Sequence, residues 1–433
     1  MKSKQWLMCL LCAIFYGTYG CSSDEEQLFR QDLPKKSETI PTTVITGMPV
    51  YIGNDSTWFH LSVEGELCRL KGIAYSSTNQ EPTIRGREIG TYRVARNGKT
   101  EQDSVVRKGL KFNTVYYVRA YAIVEYDNDQ ANDTVYGEVI PFSLRPELAE
   151  VETQPVLNRV RRAAIVMGTL KKKGDATEWG AVLSRGLNPT IEDTRLKAAD
   201  IDKTTGEFGV WFDNLEPLTL YHVRAYALNA DGSASYGKDR IFQTTRGGNV
   251  RWVWASNAEG AKAAITDGVS AYDRITEAMD SAMYYYNNYS NLDKHINVQY
   301  SPGTPTADCN IEGWMRFGEN IRYQWVGTSQ HEISHAMGVG TASNWQELIQ
   351  FNNGRKGWSK PIANNTLKVV LRDMTQHING DAQHFWNGGI NQREEVTNGT
   401  TNSYGVTIKN AEMLKANALI LNGMREDGLS NWW

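Results

Sequence analysis

Cysteine is scarce in this 433-residue chain: there are five, and Cys9, Cys12 and Cys21 crowd the first 21 residues. Only Cys68 and Cys309 remain, and the repeat described below puts them in different domains. That excludes a disulfide framework as the source of stability. Charge of one sign is lacking too. With 46 basic and 49 acidic side chains the formal net charge is -3, too balanced for the broad basic surface that DNA or RNA requires, so no nucleic-acid partner is expected. Beyond the first twenty residues no segment reaches the roughly 18 to 20 uninterrupted apolar residues of a membrane helix. Histidine is nearly as rare as cysteine, seven in all, so a pair at fixed spacing stands out.

The N-terminus is unlike the rest. Lys2 and Lys4 precede an apolar run from Trp6 to Phe15, followed by Thr18-Tyr19-Gly20-Cys21, the layout of a secretory signal. A small residue directly before a cysteine at the end of such a run resembles the bacterial lipoprotein cleavage box. The resemblance implies that residues 1–20 are a lipoprotein signal peptide and that Cys21 becomes the lipidated N-terminus. Ser22-Ser23-Asp24-Glu25-Glu26 is similar to the acidic sequence that sends lipoproteins of the Bacteroidota to the outer face of the outer membrane. A mature protein anchored by lipid to the cell outer membrane and facing the exterior is therefore expected, with residues 21–40 as a polar tether.

From there to about residue 246 the chain repeats itself. Leu110 to Ala122 reads LKFNTVYYVRAYA, and Leu215 to Ala227 reads LEPLTLYHVRAYA. In step with them, Val135-Tyr136-Gly137 matches Ser235-Tyr236-Gly237, and Gly72-Ile73-Ala74-Tyr75-Ser76 matches Gly180-Ala181-Val182-Leu183-Ser184. A period near one hundred residues is a domain duplication. Alternation within each copy, with Tyr221, Val223, Ala225 and Ala227 on one face, predicts short antiparallel strands packed as an immunoglobulin-type sandwich. Tyr116 and Tyr221 occupy the corner position from which a buried tyrosine returns its hydroxyl to upstream backbone. Both copies, residues 41–146 and 147–246, resemble fibronectin type III domains of bacterial surface lipoproteins, which implies spacer or adhesion modules. Neither carries residues for chemistry, and outward Arg119 and Arg224 read as solvated packing.

Arg246-Gly247-Gly248-Asn249 is a composition break and reads as a hinge. Residues 250–433 form a third domain of different pattern. Helical spacing runs from Ala258 to about Tyr289, then His295 to Tyr300 and Trp314 to Gly318 alternate as strands, ahead of a helix expected from about Gln330 to Val339. Thr328, Ser329 and Gln330 are its N-cap candidates, and Gly338 or Gly340 its left-handed end.

That helix carries His331-Glu332-Ile333-Ser334-His335. Histidines four apart share one helical face, so their imidazoles can converge on one metal ion. Zn2+ takes neutral imidazole nitrogens and keeps one tetrahedral position open in hydrolases. Glu332, beside the first ligand, is placed to act as general base toward a metal-activated water. With Gly338, the segment resembles the start of the metzincin signature, which implies an α+β zincin-like domain with peptidase activity. Where metzincins place their third ligand this chain has Thr341, a poor zinc ligand.

A third protein ligand must come from elsewhere. His384, in the aromatic, glycine-rich stretch Asp381 to Gly389, is favoured; His377, Glu347 and Glu394 remain alternatives. Met374, Met413 and Met424 are candidates for a methionine floor under the metal, though gap-filling core is the commoner role. Cys309 could ligate metal, but a buried free thiol is the commoner fate. Nine of thirteen tryptophans follow residue 250, and core packing accounts for most.

The expected molecule is thus multidomain: two all-β fibronectin type III-like sandwiches followed by a zincin-like domain. Its expected activity is zinc-dependent hydrolysis of peptide bonds in extracellular proteins or glycoproteins, with His331, His335 and His384 on the metal. The alternative is a glycan- or protein-binding adhesin lipoprotein whose zincin-like domain is inactive.

Overall fold

The computed structural model describes residues 41–53, 56–65, 68–85, 89–94, 101–125, 133–352, 355–386 and 390–430. The signal, the tether and Cys21 lie outside the described residues. Among those described, no helix is long and apolar enough to cross a membrane. The chain divides into two units, Met1–Arg145 and Pro146–Trp433.

In the first unit the strands are β1 (Thr43–Thr46), β2 (Val50–Gly53), β3 (Ser56–Glu64), β4 (Cys68–Ser76), β5 (Ile89–Val94), β6 (Glu101–Arg107), β7 (Val115–Val124), β8 (Asp133–Tyr136) and β9 (Ile140–Ser143). In one sheet β3 pairs with β1, β2 and β6; in the other the order is β5-β4-β7, with β8 and β9 both on β7. Alternation along β3 and β7 sends Phe59, Leu61, Val63, Val118 and Ala120 into one core between the sheets, which is why these segments fold as strands. Cys68 is buried there, its thiol donating to Leu70 O at 3.5 Å.

The second copy opens the second unit with β10 (Glu150–Leu157), β11 (Ala164–Lys172), β12 (Ala176–Ser184), β13 (Thr194–Lys197), β14 (Glu207–Phe212), β15 (Leu220–Asn229), β16 (Ala234–Tyr236) and β17 (Arg240–Gln243). Its sheets run β10-β11-β14 and β13-β12-β15, with β16 and β17 on β15. Sequence repetition becomes geometric repetition at named contacts. Lys111 N donates to Tyr116 Oη at 3.0 Å, and Glu216 N to Tyr221 Oη at 3.1 Å. Arg119 lies 4.0 Å over the Tyr136 ring and Arg224 4.3 Å over Tyr236, so the repeated arginines are stacked on the repeated tyrosines.

The rest of the second unit holds a four-stranded sheet with helices, a second, antiparallel four-stranded sheet between Ile349 and Trp386, and a two-stranded ladder of Thr400–Thr401 with Thr407–Ile408. Strand β18 (Asn249–Ser256) is followed by helix α1 (Ala258–Ala263), a hairpin of β19 (Ile265–Thr266) and β20 (Val269–Ser270), and helix α2 (Ala271–Tyr289). Asp267 and Gly268, both at positive φ, make that turn. They break the single helix expected from Ala258 to Tyr289, because Asp-Gly is a strong two-residue hairpin signal. Then come β21 (Asp293–Tyr300), β22 (Ala307–Cys309), β23 (Trp314–Phe317) and helix α3 (Val326–Ala336). The sheet order is β18-β21-β23-β22, parallel except for the antiparallel edge strand β22. Four more helices follow: α4 (Trp345–Leu348), α5 (Pro361–Val370), α6 (Arg393–Asn398) and α7 (Ala411–Glu426).

The expected hinge is instead packed. A β-carbon on Gly247 would stand 2.1 Å from the Asn287 carbonyl oxygen, and the Arg161 guanidinium donates to Arg246 O at 2.8 Å. Val160, Ala163, Ile165 and Met167 of the second sandwich share one core with Met279, Ile296, Leu367 and Leu419. Buried Asn158 donates to Thr366 Oγ1 at 2.9 Å and to Leu419 O at 2.6 Å, and accepts from Asn422 at 2.7 Å.

Candidate metal centre

Helix α3 begins four residues earlier than its hydroxyl residues suggest. Thr328 and Ser329 are fully buried inside it, Thr328 bonding to Asn391 O and Ser329 to Trp325 O. Tyr286 of α2 donates to Gln330 O at 2.8 Å, fixing the helix against its neighbour one residue before His331. The helix stops at Met337, with Gly338 at φ +111° and Gly340 at φ +69°.

Those glycines shape the site. A β-carbon on Gly340 would stand 2.2 Å from the Gln383 carbonyl oxygen, so the turn carrying His384 lies directly on the end of α3. That turn is tied by Asp381, whose Oδ1 accepts from the backbone nitrogens of Gln383 and His384, each at 2.7 Å. Trp345 Nε1 donates to Asp381 O at 3.2 Å.

As a result His331, His335 and His384 each offer a nitrogen, all within 4.8 Å of one another. Ring centroids are 5.2 Å apart for His331 and His335, 5.3 Å for His331 and His384, and 5.2 Å for His335 and His384. His335 Nδ1 lies 2.8 Å from Val339 O, an acceptor that requires the proton on Nδ1 and leaves Nε2 unprotonated. His384 Nδ1 lies 3.4 Å from Asp381 Oδ1.

The other proposed ligands are elsewhere. His377 Nδ1 sits 3.0 Å from Ile378 O and its Nε2 3.3 Å from Asn364 Nδ2. Glu394 pairs with Arg322 at 3.5 Å, and Glu347 lies exposed on α4. Thr341 turns its hydroxyl back to His335 O. Met374, Met413 and Met424 belong to the buried core.

Burial first, then the neighbouring imidazoles, push the His331 pKa down to about 3; burial also lowers His335. Both are therefore neutral at physiological pH, the form a metal requires. Burial, with the Asp308 carboxylate adding to it, pushes Glu332 up to about 8. A carboxylate so placed gains from any cation beside it. Burial and then Glu332 hold the Cys309 thiol above its usual range, so it is not a ready thiolate ligand. Three imidazoles with one orienting carbonyl suit Zn2+ as a donor set.

The histidines and Glu332 open into a cleft of about 300 Å³ lined also by Asp308, Cys309 and Asn391. Sequence reasoning missed the last wall. Asn391 Oδ1 is buried without a partner, and only the fold brings that residue, sixty positions from His331, to the cleft. Strand β22, the sheet edge, forms another wall through Ala307, Asp308 and Cys309.

No family model matches the chain, and no curated protein matches it. Among solved structures, the FN1-FN3 domains of chicken CNTN1 share 14% identity over 48% of this chain and 69% of theirs, with a TM-score of 0.18. The fibronectin(III)-like modules of Clostridium thermocellum CbhA share 9% identity over 47% of this chain and 95% of theirs, with a TM-score of 0.19. Likeness at that level carries no argument about the histidine cleft. The two β-rich copies are sandwich-like on their own evidence, the strand order and the core between the sheets.

Proposed function

We propose that the chain is a zinc-dependent metallopeptidase acting on extracellular proteins or glycoproteins. The observation that carries the reading is the convergence of His331, His335 and His384 within 4.8 Å, in one cleft with buried Glu332. Zinc held there would polarise the scissile carbonyl and make water nucleophilic at neutral pH. The three imidazoles hold the ion, and the Val339 carbonyl and Asp381 fix ring orientation. Glu332 takes a proton onto its carboxylate from the attacking water and delivers it to the departing amine. Strand β22 ends the sheet among the described residues, and an extended peptide can lie along such an edge. On the sequence features at Cys21, the same reading makes the chain a lipoprotein anchored in the outer membrane, with its cleft outside the cell.

The test is zinc content and cleavage of an unfolded protein mixture by the mature chain. One zinc per chain is expected in the wild type and in Glu332→Gln, and none in His331→Ala, His335→Ala or His384→Ala. Glu332→Gln should cleave about 10² to 10⁴ times more slowly. A wild type that binds no zinc, or cleavage indifferent to Glu332→Gln, would sink the peptidase and favour a binding protein.

A further inference from the structure

The open face of the sheet beside the cleft carries a second concavity. Strand β23 turns Met315 and Phe317 into the core and Trp314 and Arg316 outward. Arg316 stands opposite Gln299 of β21 and opposite Asp308 of β22, so a guanidinium, an amide and a carboxylate form a row across three strands. Arg316 Nε donates to Asp308 Oδ1 at 2.8 Å, and its terminal nitrogen to Oδ2. Gln299 Oε1 accepts from Ser256 at 3.2 Å. Beside this row stands Trp314, 49% exposed, its backbone N–H held by Asn310 Oδ1 at 3.0 Å. Gln299, Asp308, Asn310, Trp314 and Arg316 line a concavity of about 550 Å³, a size ordinary for small-molecule sites, which span about 300 to 1,000 Å³. Asp308 and Cys309 line both this concavity and the histidine cleft, so the two adjoin across β22.

We propose that this concavity binds a neutral glycan carried by the polypeptide whose backbone lies in the cleft, which makes the substrate class glycoprotein. The proposal extends the peptidase reading and rests on it for the polypeptide half alone. An exposed indole offers an apolar plane on which the C–H face of a pyranose ring packs. A guanidinium, a carboxylate and an amide in one row both donate and accept, as adjacent sugar hydroxyls do. A charged peptide side chain would compete with one half of the Arg316–Asp308 pair and strand the other. A neutral polyhydroxyl ligand meets both halves without breaking it.

The experiment uses the mature chain carrying Glu332→Gln, titrated by calorimetry with neutral N- and O-glycan pools released from a mucin. Saturable binding is expected, with or without zinc, and about tenfold weaker binding after Trp314→Ala or Arg316→Ala. In the active protein, the ratio of kcat/KM on a mucin-type glycoprotein to that on the same protein after enzymatic deglycosylation should fall about tenfold with Trp314→Ala. Absence of binding by either pool, or binding indifferent to both variants, overturns the proposal. So does an equal loss on glycosylated and deglycosylated substrate, which would make the concavity a peptide subsite. If the wild type cleaves neither substrate, the peptidase reading fails while the glycan titration still decides this one.

Discussion

Gly340 holds φ +69° with the Gln383 carbonyl oxygen 2.2 Å from where a β-carbon would be. A methyl group there pushes the Asp381 turn off the end of α3, and His384 moves with the turn. Gly340→Ala is therefore expected to keep the helix and lower zinc affinity by about 10- to 100-fold, as read by competition against a chelating dye. Unchanged affinity would mean that other contacts place the turn. His331 and His335 are legible in the sequence because positions four apart on a helix share a face whatever the surroundings. His384 is only a favoured choice among His377, Glu347 and Glu394, because selection depends on which loop crosses the helix end. Asn391 and the β22 wall are set by packing alone, and no local pattern announces them.

Between elements, the sequence signals carry unequal weight. The Asp267-Gly268 turn outweighs helical spacing on both sides of it. The hydroxyl residues near the start of α3 mimic a cap, yet bonds to Asn391 and Trp325 absorb them inside the helix. After α5, Arg372 takes φ +57° and Asp373 anchors the exit. Buried Asp373 accepts from Thr375 N at 3.0 Å, Thr375 Oγ1 at 2.6 Å, Gln376 Nε2 at 2.8 Å and Ser403 N at 3.1 Å. Burial alone would raise its pKa, but bonds from Ser403, Thr375 and Gln376 prevail and hold the carboxyl well below the usual carboxylate range. Since the folded value lies below the unfolded one of about 3.9, the stability it adds is present above about pH 5 and lost as pH falls through the folded value. Asp373→Asn should cost about 1 to 3 kcal/mol near neutrality. In urea melts, that gap should narrow by about pH 3; a gap constant with pH would remove the charge from the explanation.

Across the second unit, the continuous core decides how the polypeptide can be cut. The Gly247-Gly248 break marks where one sequence pattern ends, but mobility is a matter of packing, and Gly247 lies against Asn287. Residues 146–433 are expected to melt in a single calorimetric transition. Residues 250–433 lose Val160, Ala163, Ile165 and Met167 from their core and the bonds of Asn158, so they should aggregate or melt well below the larger piece. Equal melting temperatures would refute a shared core. The second copy of the duplication is therefore not a free module. In the second, a β-carbon on Gly209 would sit 2.3 Å from Val369 Cγ2, so its outer sheet has become part of another domain's interior. Recombination could carry the second copy only together with the cleft.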